Sequence, residues 1–116
     1  MKDEKIAYLS ACEMRTKIKN EELSSLEIFR VLINRIKEIN PIINAYCTPT
    51  FEQAEEMAKT SDDKIKKDME IGLLEGIPVS IKDVILTKNI RTTFGCKIYE
   101  NHIPDKDEII IQRIKK

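Results

Sequence analysis

The sequence predicts an α/β chain, with a helical lead over residues 1–70 and a strand, a loop and the start of another helix over residues 71–116. Two observations carry this reading. Apolar residues recur at helical spacing in three successive stretches before Gly72. After it, Val79-Ser80-Ile81-Lys82-Asp83-Val84-Ile85 places apolar residues on both parities, the pattern of a strand covered on both faces.

Ile6 to Ile18 reads as the first helix, with Ile6, Leu9, Met14 and Ile18 on its apolar side, and Lys19-Asn20-Glu21-Glu22 is a polar break. The second helix begins at Ser24, three residues before Glu27. At that spacing the serine oxygen accepts a backbone N–H and the carboxylate reaches back to the cap. Phe29, Leu32, Ile33, Ile36 and Ile39 then recur at helical spacing. Asn40-Pro41 is expected to end this helix, because proline disfavours helical backbone in the residue before it. Asn44 to Thr48 is a short segment suited to extended backbone. Pro49-Thr50 opens a third helix, with Thr50 and Gln53 at capping-box spacing. Its stripe of Ala54, Met57, Ala58, Ser61 and Ile65 is narrow and suits close packing.

Gly76-Ile77-Pro78 reads as a turn into the strand, and Thr87 to Phe94 as a loop with strand tendency. Asp105 and Glu108 repeat the capping spacing ahead of Ile109, Ile110, Ile111 and Ile114, a last helix. A strand needs neighbours for its backbone donors and acceptors, and few candidates are present. The sequence therefore suggests a part of a larger sheet.

Lys and Arg number 20, as do Asp and Glu, and the charges are interspersed. A protein that neutralises many phosphates shows a basic excess or stripe, so direct nucleic-acid binding by this piece is not expected. With 41% hydrophobic and 34% charged residues the chain suits a globular fold, not a disordered one. No stretch approaches the length of an apolar membrane span, and no secretory leader is read at the start, so a cytoplasmic protein without membrane contact is expected. Cys12, Cys47 and Cys96 are far apart and form no CxxC or Cys/His spacing, so free thiols are expected and no metal or cofactor. His102 reads as a surface histidine in a polar loop.

Lys82 is the residue that does not fit, because it lies in the middle of the apolar strand read over Val79 to Ile85. Desolvating an ammonium costs several kcal/mol, and buried lysine is rare unless paired. Two readings stand side by side. Lys82 reaches solvent from a strand end or pairs with an acid such as Asp83, or it is a functional lysine kept neutral by burial and able to act as a base.

Leu74-Glu75-Gly76-Ile77-Pro78-Val79-Ser80-Ile81-Lys82-Asp83 resembles the segment around the catalytic lysine of the amidase-signature family. The similarity continues through Thr87-Lys88-Asn89-Ile90-Arg91-Thr92-Thr93-Phe94-Gly95 to Pro104 and Asp107. Upstream, Glu22-Leu23-Ser24-Ser25, Arg35-Ile36 and Asn40-Pro41-Ile42-Ile43-Asn44-Ala45 resemble the family's leading helices. Within the family, the combination of these leading helices with the Thr-Lys-x-Ile-Arg-Thr-Thr pattern is most similar to the branch that serves as one component of a tRNA-dependent amidotransferase. Asn89 stands where the family usually has glycine, and asparagine tolerates the left-handed conformation better than most residues. Cys96 stands where serine is common and is not read as a nucleophile.

The resemblance implies leading helices packed on the beginning of a large mixed sheet, the whole of residues 1–116 being the N-terminal portion of a single amidase domain. It implies carboxamide hydrolysis by a nucleophilic serine, a bridging serine and a lysine, here Lys82. The neutral amine takes a proton through the bridging serine, and backbone N–H groups stabilise the oxyanion. No Gly-Ser-Ser segment of the kind that carries those serines follows Lys82, so this chain alone is expected to be inactive, with Lys82 wetter than in a finished pocket. The implied partners are the remainder of the amidase domain, glutamine as the small amide substrate, and the B and C subunits of the amidotransferase. A stand-alone amidase with another substrate, and a non-catalytic remnant or interaction piece, are the alternatives.

Overall fold

The computed structural model describes residues 2–116, with side chains from Lys5 onward. The chain divides into two compact units. One comprises Met1–Ala45 and Thr50–Pro78, the other Tyr46–Pro49 and Val79–Lys116. The boundary falls after Pro78, a few residues beyond the change of character at Gly72.

The first unit is helical. Helix α1 spans Lys2–Ala7 and α2 spans Ala11–Lys19. The single helix expected over Ile6 to Ile18 is thus two, broken at Tyr8–Ser10. The reason is local: Ser10 caps α2, accepting from the Glu13 N–H, while the Glu13 carboxylate takes the Ser10 N–H at 2.8 Å. Helix α3 spans Ser25–Ile43 and opens on the Ser24–Glu27 capping box the sequence predicts. It does not stop at Asn40. Proline's fixed φ is itself compatible with helix, so Pro41 sits in the last turn and removes one donor. The helix ends where Asn44 turns left-handed, φ 50°, and returns its N–H to the Asn40 carbonyl at 2.7 Å. Helix α4 spans Phe51–Lys66. The expected Thr50–Gln53 cap does not form, because Thr50 lies outside the extended region at ψ 47° and its hydroxyl makes no cap bond.

Helix α3 packs against α4 and α1. The core is Ile6, Met14, Ile18, Leu23 and Ile28, with Leu9, Val31, Leu32, Ile65 and Ile77 packed on it. Ile28, absent from the stripe read in the sequence, has 0% exposure, whereas Ile33, Ile36 and Ile39 are half-buried. Ser25 and Ile28 lie one turn apart, so the buried face is rotated towards them.

Residues 72–77 are tied to these helices by polar contacts. The Arg15 guanidinium donates to the carbonyls of Gly72, at 3.2 Å, and Leu73. Glu75 accepts from the Ser61 hydroxyl and from Lys64 at 3.1 Å. Gly76 has φ +77°, and a Cβ there would lie 2.1 Å from the Ser25 hydroxyl oxygen. Only glycine meets both demands. Asp62 of α4 accepts the first N–H groups of α3, from Ser25 at 2.7 Å and Leu26 at 3.1 Å.

The second unit has little regular structure: a 3₁₀ turn at Lys97–Tyr99 and a short helix, α5, at Ile109–Ile114. No strand occurs among the described residues. Residues 79–82 have no ladder, and Val79, Ile81 and Val84 are exposed. Three of the four apolar side chains of the run, Val79, Ile81 and Val84, are therefore uncovered among the described residues. The expected cap at Asp105 is displaced to Glu108, which starts α5 without a side-chain cap. The Glu108 N–H, which a capping box at Asp105 would use, is taken by the Leu86 carbonyl at 2.9 Å. Among the described residues no helix is long and apolar enough to cross a membrane.

Ile28→Ala should cost about 2–5 kcal/mol, the range for truncating a fully buried aliphatic side chain. Ile42→Ala, at an exposed position of the same helix, should change stability by less than about 0.5 kcal/mol. Urea titration followed by circular dichroism measures both. Equal losses would place the buried face of α3 elsewhere.

Candidate active site

The sequence around Lys82 lacks a ladder, so its backbone groups must find partners in turns and side chains. A turn closes Lys82 to Ile85, whose N–H bonds the Lys82 carbonyl at 3.0 Å. On one side of Lys82, the Ser80 hydroxyl bonds the Tyr46 hydroxyl at 2.7 Å. On the other, Asp83 is fastened twice to the loop that follows. Its Oδ1 accepts the Thr93 N–H at 2.8 Å and its Oδ2 accepts the Thr93 hydroxyl proton. Its carbonyl also takes the Phe94 N–H at 3.0 Å.

The loop that meets Asp83 has its own supports. Phe94 and Gly95 both have positive φ, 54° and 67°. The Gly95 N–H bonds the Thr93 hydroxyl at 3.2 Å. Arg91 donates to the carbonyls of Cys47, at 2.8 Å, and Glu100, at 3.2 Å. The N–H groups of Asn89 and Thr92 bond the carbonyls of Pro104 and His102, each at 3.0 Å. Asp107 accepts the Lys88 N–H at 2.7 Å and pairs with Lys115 at 2.7 Å. Asn89 adopts φ 62°, the left-handed backbone expected where glycine is usual.

Lys82 itself is exposed, and among the described residues its ammonium forms no ion pair with Asp83. Within the first reading of Lys82, its reach to solvent agrees with this exposure, and the pairing with Asp83 is corrected: that carboxylate is taken by Thr93. The Thr93 hydroxyl, then the Thr93 N–H, hold the Asp83 carboxyl below its ordinary pKa, against a smaller opposing effect of burial; the Gly95 N–H and the Cys47 thiol add to the lowering. The Asp83–Thr93 pair is the feature that sequence reasoning missed. Its only trace was an acid next to the lysine and a Thr-Thr pair ten residues on.

One other expectation changes, that for His102. His102 is half-buried and packs edge-on against Tyr99 at 5.7 Å between ring centres, with Phe94 at 6.1 Å. It is part of an aromatic cluster and not a free surface histidine. Cys96 is exposed, as are Cys12 and Cys47, and all three thiols are free.

Residues 27–116 match the family model described as Amidase. That stretch holds most of α3, all of α4 and the whole lysine segment, and this chain belongs to the amidase family. Its relatives narrow the likeness. It is 42% identical, over 109 residues and 94% of its length, to the A subunit of the glutamyl-tRNA(Gln) amidotransferase of Carboxydothermus hydrogenoformans. The subunits of the same name from Geobacter sp. strain M21 and Gloeothece citriformis are 40% and 41% identical over 93% and 89% of this chain. The chain spans about a fifth of the length of these relatives, 22%, 22% and 21% respectively.

The lowered carboxyls predict an acid-sensitive fold. Asp83 and Asp107 lie below their ordinary values, Asp107 through Lys115 and the Lys88 N–H. Burial pushes the Glu75 carboxyl up, but the Ser61 hydroxyl and Lys64 outweigh it and the net shift is downward. A group whose folded pKa is depressed stabilises the fold above its unfolded value, and that contribution is lost as pH falls through the folded value. The melting temperature should hold from pH 7 to about 5 and fall below about 4, where free carboxyls titrate. A melting temperature that rises on acidification would contradict these contacts.

Proposed function

We propose that this chain is the lysine-bearing part of an amidase domain that hydrolyses a carboxamide through a Ser–Ser–Lys triad, with Lys82 as the base. The observation that carries the reading is the segment from Leu74 to Asp83, which lies within the family match and places one lysine directly after Val79-Ser80-Ile81. The neutral amine draws a proton from the nucleophilic serine through the bridging serine. The two serines belong to the rest of the domain, as do the strands of the mixed sheet on which the leading helices pack. The exposure of Val79, Ile81 and Val84 supports this, since an apolar run uncovered here has a surface to give to such a sheet.

The amide is glutamine, and the ammonia released passes to the partner subunits of a tRNA-dependent amidotransferase, the B and C subunits, in the cytoplasm. The names of the relatives support this over a stand-alone amidase, as does Thr-Lys-x-Ile-Arg-Thr-Thr at residues 87–93.

The 116-residue chain alone should release no ammonia from glutamine above buffer, because the 116 residues contain no Gly-Ser-Ser segment to act as nucleophile. A chimera carrying this chain in place of the 109 aligned residues of the Carboxydothermus hydrogenoformans relative should hydrolyse glutamine. Its Lys82→Met variant should fall to background with an unchanged melting temperature. Normal ammonia release by the methionine variant would remove Lys82 from the mechanism. Loss of activity through loss of the fold would make Lys82 a structural residue.

A further inference from the structure

The structure points to a second residue of this site. We propose that Asp83 is a positioning residue for Lys82, acting through Thr93; the inference rests on the reading of Lys82 as the base. Lys82 is flanked by two anchored residues, and its ammonium forms no ion pair among the described residues. Ser80, two positions before it, is held by Tyr46, and Asp83, one position after it, is held by Thr93. With no ladder along residues 79–82, these side chains and the turn from Lys82 to Ile85 define where the lysine backbone runs.

The Asp83 anchor is the stronger of the two. It is charged, it takes two donors from one residue, and the carbonyl of the same aspartate takes a third from Phe94. Hydrogen bonds to an ionised carboxylate are shorter and about twice as strong as neutral ones. Two donors from one residue also fix direction, which a single bond between hydroxyls does not. Thr93 is in turn fixed by the Gly95 N–H on its hydroxyl and by the Cys96 N–H on its carbonyl at 2.9 Å. The carboxylate thus joins the lysine turn to a hydrogen-bonded, left-handed bend. An ion pair with the adjacent lysine would instead draw the amine aside and keep it charged. By committing its oxygens to Thr93, Asp83 leaves the Lys82 side chain available.

The role divides the effects of substitution. Asparagine at position 83 keeps the size but loses one acceptor and the charge. The lysine turn loosens, and a base displaced by about 1 Å loses about 100-fold in rate. Because Asp83 acts on the base and not on substrate binding, the loss belongs in kcat, with KM held.

Two measurements test this. In the 116-residue chain, Asp83→Asn should speed amide hydrogen exchange at Thr93 and at Ile85, whose N–H closes the lysine turn, and leave Ile28 protected. In the chimera, Asp83→Asn should lower kcat for ammonia release from glutamine by about 100-fold with KM unchanged. Thr93→Val, which removes only the hydroxyl donor, should give a smaller loss of the same kind, and Thr93→Ser should restore the rate. Unchanged exchange at Ile85 in the first measurement would overturn the proposal. So would kcat within twofold of the parent for both Asp83→Asn and Thr93→Val while Lys82→Met is inactive; that outcome leaves Lys82 as the base. Full activity of Lys82→Met would overturn both readings together.

Discussion

The bond pair between the Asp83 carboxylate and Thr93 fastens the lysine-bearing segment to the loop that follows it. A chain that leaves a helical bundle and enters a stretch without a ladder has donors and acceptors to satisfy residue by residue. Here a carboxylate takes an N–H and a hydroxyl from ten residues away, and the same residue's carbonyl takes the next N–H. Asp107 repeats the device at Lys88, and Asp62 uses it on the first turn of α3. In each case an aspartate side chain accepts from a backbone N–H that has no regular partner.

This division of labour fits a chain of two characters. The helical unit is held by apolar burial centred on Ile28, and its polar contacts decide entry angles: Asp62 at the start of α3, Arg15 and Glu75 on the segment that leaves the helices. Gly76 then lets the backbone pass within reach of Ser25, where any side chain would collide. The other unit buries little beyond Thr87, Thr92, Pro104 and Ile111. Its order comes from hydrogen bonds, and its apolar side chains at Val79, Ile81, Val84, Ile109 and Ile110 face outward. Such a surface is what a piece of a larger amidase domain would offer to the remainder.

What was legible in the sequence follows from the range of the forces involved. The Ser24–Glu27 box and the helix behind it are set by neighbours within a few residues and are readable, whereas the left-handed Asn89 is expected only from the resemblance, where glycine is usual. The Ser10–Glu13 box is equally local, but the apolar spacing of Ile6, Leu9 and Met14 bridges the break and hides it. Pro41 misleads because its bias acts on one residue, while the packed helix around it carries on for a turn. Ile28 escapes because spacing gives a periodicity without its phase; which side of α3 is innermost is decided by α1 and α4. Lys82 is recognisable from its apolar surroundings and from the resemblance of the segment. The Asp83–Thr93 contact is not, since it joins residues ten apart through a loop with no repeating pattern. An acid beside a lysine reads first as an ion pair, and only the fold shows the carboxylate turned to Thr93.

The most direct test of this account is the titration of Asp83 by carboxyl ¹³C NMR in the 116-residue chain. The midpoint should lie below the value of about 3.9 for a free aspartate, with the Thr93 amide resonance moving at the same midpoint. A midpoint at or above that value, with Thr93 indifferent to it, would mean that Asp83 does not hold the loop and that the lysine segment is ordered by something else.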